Sequence, residues 1–243
     1  MSDVRPALSR RLFAEFLGTG LLVVAIVGSG IAAQRLSQGD VGLQLFENAF
    51  ATAAALAAII LALGPVSGAH LNPAVTLVDR AFGALTNREA SGYIAAQVSG
   101  GIVGAMIANL MFDLPAVEWA TKTRSGNPLL LAEVVATFGL ILVIFSLARS
   151  GRSAAAPFAV AAYIGGAYFF TASTSFANPA VTIARMFSNT FAGIDPTAVP
   201  GFIAAQLVGA ALAACTVRYL YPNAARFARD VVVPHESGSA HSP

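Results

Sequence analysis

Six apolar runs, at residues 12–33, 45–63, 93–112, 129–148, 154–174 and 200–220, are each long enough to carry a helix across about 30 Å of hydrocarbon. A backbone that crosses lipid must satisfy its own hydrogen bonds, and runs of this length do so as helices. The composition agrees, with 56% hydrophobic residues, 11% charged residues and a mean hydropathy of +0.71. The lipid bilayer is therefore the chain's first partner. A net charge of +2 and a pI near 9.0 suit nucleic acid, but the basic residues border the runs and form no stripe, so nucleic acid is not a partner. The first run follows Arg10 and Arg11 in the manner of a secretory signal, yet it outlasts the apolar core of one and reads as a retained span. Cys215, the single cysteine, excludes an intrachain disulfide and a cysteine metal cluster; within an apolar run it reads as a small core residue.

The interiors of the runs are dense in small residues, as in Gly100, Gly101, Gly104 and Ala105, which lets helices approach closely where lipid gives little drive for association. Two further apolar segments are too short to span. One opens at Asn72 and fades by about residue 82, the other opens at Asn178 and fades by about residue 187. Both read as half-helices. Lysine and arginine are retained on the cytoplasmic side. With both termini inside, ten arginines (5, 10, 11, 80, 88, 149, 152, 218, 226 and 229) lie there, against Arg35, Lys122, Arg124 and Arg185 outside. Residues 222–243, with His235 and His241 but no neighbouring ligands, read as a disordered cytoplasmic tail rather than a metal site.

An internal repeat organises the rest. SGAHLNPAVTL, with Asn72, Pro73 and Ala74, is answered by STSFANPAVTI, with Asn178, Pro179 and Ala180, at an offset of 106 residues. FAEFLGTG around Glu15 is answered by LAEVVATFG around Glu133, and YIAAQVSGG from Tyr93 by FIAAQLVGA from Phe202. Each half contains three spans, an odd number, so the second copy enters the membrane inverted and the functional site belongs at the junction of the halves. Irregular backbone at bilayer depth has to line a cavity or be buried in protein.

Asparagine is a favoured N-cap, and proline at the first helical position gives up a donor that would be unpaired anyway. The side-chain oxygens of Asn72 and Asn178 therefore cap the half-helices, while their NH2 groups point into a pore as donors. Two positive helix ends meeting near the midplane repel cations and suit neutral hydroxylated solutes. Glu15 and Glu133 inside spans suggest a proton relay. Their symmetric placement favours a supporting role, in which each accepts hydrogen bonds from the re-entrant backbone of its own half. His70 beside the first motif reads as pore-lining, and Gln97 and Gln206 as interhelical hydrogen-bonding residues.

These strings resemble the major intrinsic protein family of aquaporins and glycerol facilitators, over about residues 8–221. The resemblance implies an all-α membrane protein: an aquaporin-like right-handed bundle of six transmembrane helices and two re-entrant half-helices. It also implies a pore in every protomer, a homotetramer and no cofactor. One channel domain would cover 1–221, with repeats at about 8–112 and 127–221. In this family the narrowest point lies outward of the paired motifs, and counting from them places it at Thr52, Gly166, Ser175 and Val181. The family's usual arginine after the second motif is Val181 here, which removes a fixed charge and implies a wide, less polar opening. Arg185, seven residues after Asn178, returns nearly to the same helical face. It either reaches back toward the vacant place or sits solvated at the mouth. STSFANPAVTIAR is similar to channels associated with arsenic resistance, which implies neutral metalloid hydroxides such as arsenous acid beside water and glycerol-like polyols. The competing expectation is a proton- or sodium-coupled transporter, since inverted repeats and broken helices also build carriers. A membrane enzyme lacks a nucleophile and base pair or a metal-ligand cluster.

Overall fold

The computed structural model describes residues 5–222, so the expected tail, with His235 and His241, lies almost wholly outside the described residues. Eight α-helices run in chain order: α1 Leu8–Leu36, α2 Val41–Ser67, α3 Pro73–Ala81, α4 Asn87–Met111, α5 Asn127–Arg149, α6 Ala156–Phe170, α7 Pro179–Ala184 and α8 Val199–Leu220. Six are long and apolar enough to cross a membrane, α6 with the short 3-10 turn Ser153–Ala155 before it and α8 with Pro196–Ala198. Each begins or ends where local chemistry dictates. Asp40 caps α2 by accepting from Leu43 N at 2.9 Å, and Thr86 with Glu89 forms a capping box on α4. α2 stops at Gly68, whose φ of +86° is open to glycine at little cost. α6 is shorter than expected from hydropathy: it ends at Phe170, and 171–178 is non-helical chain leading to the second motif.

The halves are built alike. α1 packs on α4 and α2, α5 packs on α8 and α6, and α2 meets α6 at the junction. Small residues make the tightest crossings. A Cβ on Gly100 or Gly104 would strike the backbone of Phe16 or Gly20, and one on Gly209 would strike Val134 O. Gly100 and Gly209 are repeat partners, as are Phe16 and Val134, so the same crossing is used twice. Cys215 is exposed on the outer face of α8, contrary to the core reading, because Ala213 and Val217 point inward and residue 215 lies about 200° away from Ala213. Phe13, Leu17, Leu21 and Phe158 also face outward, as expected of a surface solvated by lipid.

Charges separate to the two ends. At one, Arg11 Nη2 meets Glu89 Oε1 at 2.5 Å and Arg218 Nη2 donates to Ala81 O at 3.0 Å. At the other, Arg35 Nη2 donates to Phe112 O at 2.5 Å and Lys122 Nζ to Phe191 O at 2.8 Å. α3 runs from mid-bundle toward the first end and α7 toward the second.

Candidate pore

The half-helices start on their asparagines. Asn72 Oδ1 accepts from Ala74 N at 2.9 Å, and Asn178 Oδ1 from Ala180 N at 3.0 Å and Val181 N at 3.2 Å. The amide nitrogens do more than face a lumen. Asn72 Nδ2 donates to Ala177 O and Asn178 Nδ2 to Leu71 O, each at 2.7 Å. One of the two hydrogens on each nitrogen thus ties the halves together, and one is left over.

The chain just before each motif is held in a conformation that side chains resist. Ala69 and Leu71 have φ of +44° and +52°, and their repeat partners Ser175 and Ala177 have +51° and +49°. Each such residue costs about 1–3 kcal/mol and persists only when its surroundings impose it. The glutamates supply that constraint. Glu15 accepts from His70 N at 2.9 Å, Leu71 N at 2.7 Å, Ser67 Oγ at 2.6 Å and Gln97 Nε2 at 2.8 Å. Glu133 accepts from Phe176 N and Ala177 N at 2.9 Å and from Gln206 Nε2 at 2.6 Å. Gln97 and Gln206 also donate to Thr76 Oγ1 and Thr182 Oγ1 of their own half-helices, at 3.0 and 2.9 Å. Each glutamine therefore links a loop carboxylate to the half-helix that follows it.

Around the paired asparagines lies a cavity of about 60 Å³, well above the roughly 10–15 Å³ needed to hold a water. Its apolar wall repeats like the rest: Leu22 and Ile26 of α1 are answered by Leu140 and Ile144 of α5. The polar side carries His70, Asn72, Ser175 and Asn178. Of the four expected constriction residues, Thr52, Ser175 and Val181 line this cavity and Gly166 does not. Gly166 is exposed on the outer side of α6, where an added Cβ would meet only Phe170. The inward stripe of α6 is Val160, Ile164 and Tyr168, at i, i+4 and i+8, and residue 166 falls about 200° from Ile164. Tyr168 of the same helix lines the cavity, its hydroxyl donating to Thr52 Oγ1 at 3.2 Å.

Arg185 is not solvated. It is 2% exposed, lines the cavity, and stacks on Phe176 with Cζ 3.5 Å from the ring centroid; its Nε donates to Ala192 O. Arg124, unremarked in the sequence beyond its side of the membrane, lies over the same ring at 5.0 Å. Burial pulls Arg124 down to about 10, and burial with Arg124 and Arg185 nearby pulls Lys122 down to about 8.

His70 lines the cavity, with Nδ1 3.1 Å from Thr76 Oγ1 and its ring tilted on Tyr93. Its Nε2 lies 3.4 Å from Oδ2 of buried Asp79. This buried pair sets an acid beside a base in addition to the two glutamates, and Asp79 is not among the residues the sequence analysis singled out. Among the described residues, no group of three or more His, Cys, Asp or Glu is placed to hold a metal ion.

The model of the family described as Major intrinsic protein matches residues 3–175 and 153–241 of this sequence. The chain belongs to the major intrinsic protein family. It is a membrane channel and not an enzyme. The aquaglyceroporin AqpS of Rhizobium meliloti (strain 1021) is 52% identical over 213 residues, covering 88% of this chain and 91% of that protein. The aquaporin AqpM of Methanothermobacter marburgensis is 33% identical over 244 residues, covering 88% and 98%. The solved aquaglyceroporin from Plasmodium falciparum shares the fold, with a TM-score of 0.66 at 20% identity over 90% of this chain and 99% of that one.

Proposed function

We propose that this family member conducts small uncharged solutes passively: water, glycerol-like polyols and neutral trivalent metalloid hydroxides such as arsenous acid. The observation that carries the reading is the lumen itself, where the donors of Asn72 and Asn178 stand against an apolar wall and no carboxylate is among the lining residues. Such a surface exchanges hydrogen bonds with a neutral hydroxylated molecule and offers a cation no carboxylate. Pro73, Ala74, Pro179 and Ala180 start the half-helices that present these donors. Thr52, Tyr168, Ser175 and apolar Val181 form the constriction, and Val181 makes it broader in selectivity than an arginine there would. The name of the Rhizobium meliloti relative, an aquaglyceroporin, supports polyols as cargo. Glu15 and Glu133 support the loops, since their oxygens are engaged by backbone and glutamine donors. The channel domain is 1–221 followed by a cytoplasmic tail, the protein is a homotetramer in the plasma membrane, and both termini lie in the cytoplasm, on the side with most of the arginines.

The pair His70 and Asp79 favours a second reading, proton-coupled transport, because a buried acid beside a base that lines the lumen has the parts of a relay. Sealed proteoliposomes separate the two. Swelling in glycerol, urea and arsenous acid should follow the solute gradient alone and be indifferent to an imposed proton or sodium gradient. Uphill accumulation driven by either ion would replace the channel with a transporter, and swelling with water alone would remove the broad selectivity.

A further inference from the structure

In both halves the residue seven positions after the motif asparagine folds back onto the residue two positions before it. In the first half this brings Asp79 to His70, with 3.4 Å between Oδ2 and Nε2. In the second it brings Arg185 to Phe176, 3.5 Å from Cζ to the ring centroid. The two pairs correspond under the 106-residue offset, so one backbone arrangement delivers a carboxylate on one side of the asparagines and a guanidinium on the other.

The two arginines at Phe176 are used differently. Arg124 spends its nitrogens on carbonyls, Nε on Gly193 O at 2.9 Å, Nη1 on Ser173 O and Nη2 on Phe191 O at 3.3 Å. It holds the loop and the ring. Arg185 is 2% exposed and lines the lumen, yet its only hydrogen bond among the described residues is from Nε to Ala192 O. That bond and the stack on Phe176 fix the guanidinium plane and leave four of its five N–H donors without a protein acceptor. Ser175 Oγ, in the same lumen, is also buried without a partner. No acidic side chain among the described residues forms a salt bridge to Arg185.

We propose that Arg185 is the fixed charge and solute-orienting donor of the constriction: its free Nη groups bind the oxygens of a passing neutral solute, and its charge turns cations back. It takes over from one turn further along the chain what position 181 leaves to an apolar valine. The arginine fork suits this because it is planar, always charged and weakly hydrated. The assignment rests on the channel reading above.

The test uses full-length protein in proteoliposomes, reading sodium leak and the ratio of glycerol to water permeability separately. Arg185→Gln is expected to raise sodium leak at least tenfold and lower the permeability ratio at least threefold. Arg185→Met, which keeps an apolar stem over Phe176, is read the same way if the glutamine variant does not fold. Arg185→Lys should keep sodium out but change the ratio, since it keeps the charge and loses the fork. The double variant Val181→Arg, Arg185→Gln should exclude sodium again. Wild-type sodium exclusion together with a wild-type ratio in folded Arg185→Gln or Arg185→Met overturns the proposal. A wild-type protein that moves no neutral solute overturns the channel reading instead, and the sodium comparison still decides whether Arg185 is the charge barrier.

Discussion

Replacing Glu133 by leucine removes the one acceptor shared by Phe176 N, Ala177 N and Gln206 Nε2, at 2.9, 2.9 and 2.6 Å, and leaves three donors buried. An orphaned buried donor costs about 1–3 kcal/mol, so the upper limit is roughly 9 kcal/mol. In a membrane the unfolded chain also finds partners, and interhelical hydrogen bonds there average only about 0.6 kcal/mol, which sets a lower limit near 2 kcal/mol for three. Even that limit shifts the folded-to-unfolded ratio roughly thirty-fold. The strained residues Ser175 and Ala177, with φ of +51° and +49°, are then free to relax, and Ala177 O moves away from Asn72. Glu133→Leu in detergent should therefore lose several degrees of thermal midpoint, and in proteoliposomes it should lose most solute flux per folded protein. Glu133→Gln retains an acceptor oxygen and should recover much of both. A leucine variant with wild-type midpoint and flux would refute the reasoning. A glutamine variant that folds normally but stops conducting would return the carboxylate to a proton-carrying role.

Replacing Asn72 or Asn178 by aspartate removes a cross-half donor worth about 0.5–1.5 kcal/mol and adds a negative charge beside the lumen; solute swelling should fall and cation leak rise, measured together in vesicles. Valine at Gly104 or Gly209 drives a side chain into Gly20 or Val134 backbone and should cost about 1–3 kcal/mol by thermal unfolding. Alanine at Gly201, where a Cβ meets Leu130 at an ordinary 3.4 Å, should cost little. Lys122 is the only lysine in the sequence, and its amine is neutral above about 8, so labelling by an amine-reactive reagent should rise through that pH rather than near the usual 10.5. A labelling midpoint near 10.5 would show that burial and its two arginine neighbours do not act on it.

What could be read beforehand was what the repeat wrote twice. The six spans, the two short helices and the positions of Glu15 and Glu133 follow from apolar length and from strings that recur in register, because each is a local demand of backbone in lipid. Glycine pairs such as Gly100 and Gly209 were visible for the same reason. Gly166 lies off the cavity because α6 ends at Phe170, short of the span read to residue 174, and its inward stripe is Val160, Ile164 and Tyr168, a spacing the sequence already shows. Asp79 escaped because its partner His70 lies on the far side of the motif turn, and nothing in linear order shows that position seven returns to position minus two. Arg185 left two readings open for the same reason, since only the placement of Phe176 and Ala192 decides between reaching inward and standing in solvent.

The crossed bonds from Asn72 to Ala177 O and from Asn178 to Leu71 O also bear on how such a chain is made. The side chains that hold the backbone just before the first motif, Glu15, Ser67 and Gln97, all lie within the first hundred residues. The acceptor for Asn72 arrives 105 residues later. A chain made from its N-terminus therefore holds the first loop's own staples before the partners of the crossed bonds exist, and the cavity, lined from both halves, needs both. A chain that ended midway would carry only one side of the cavity's lining.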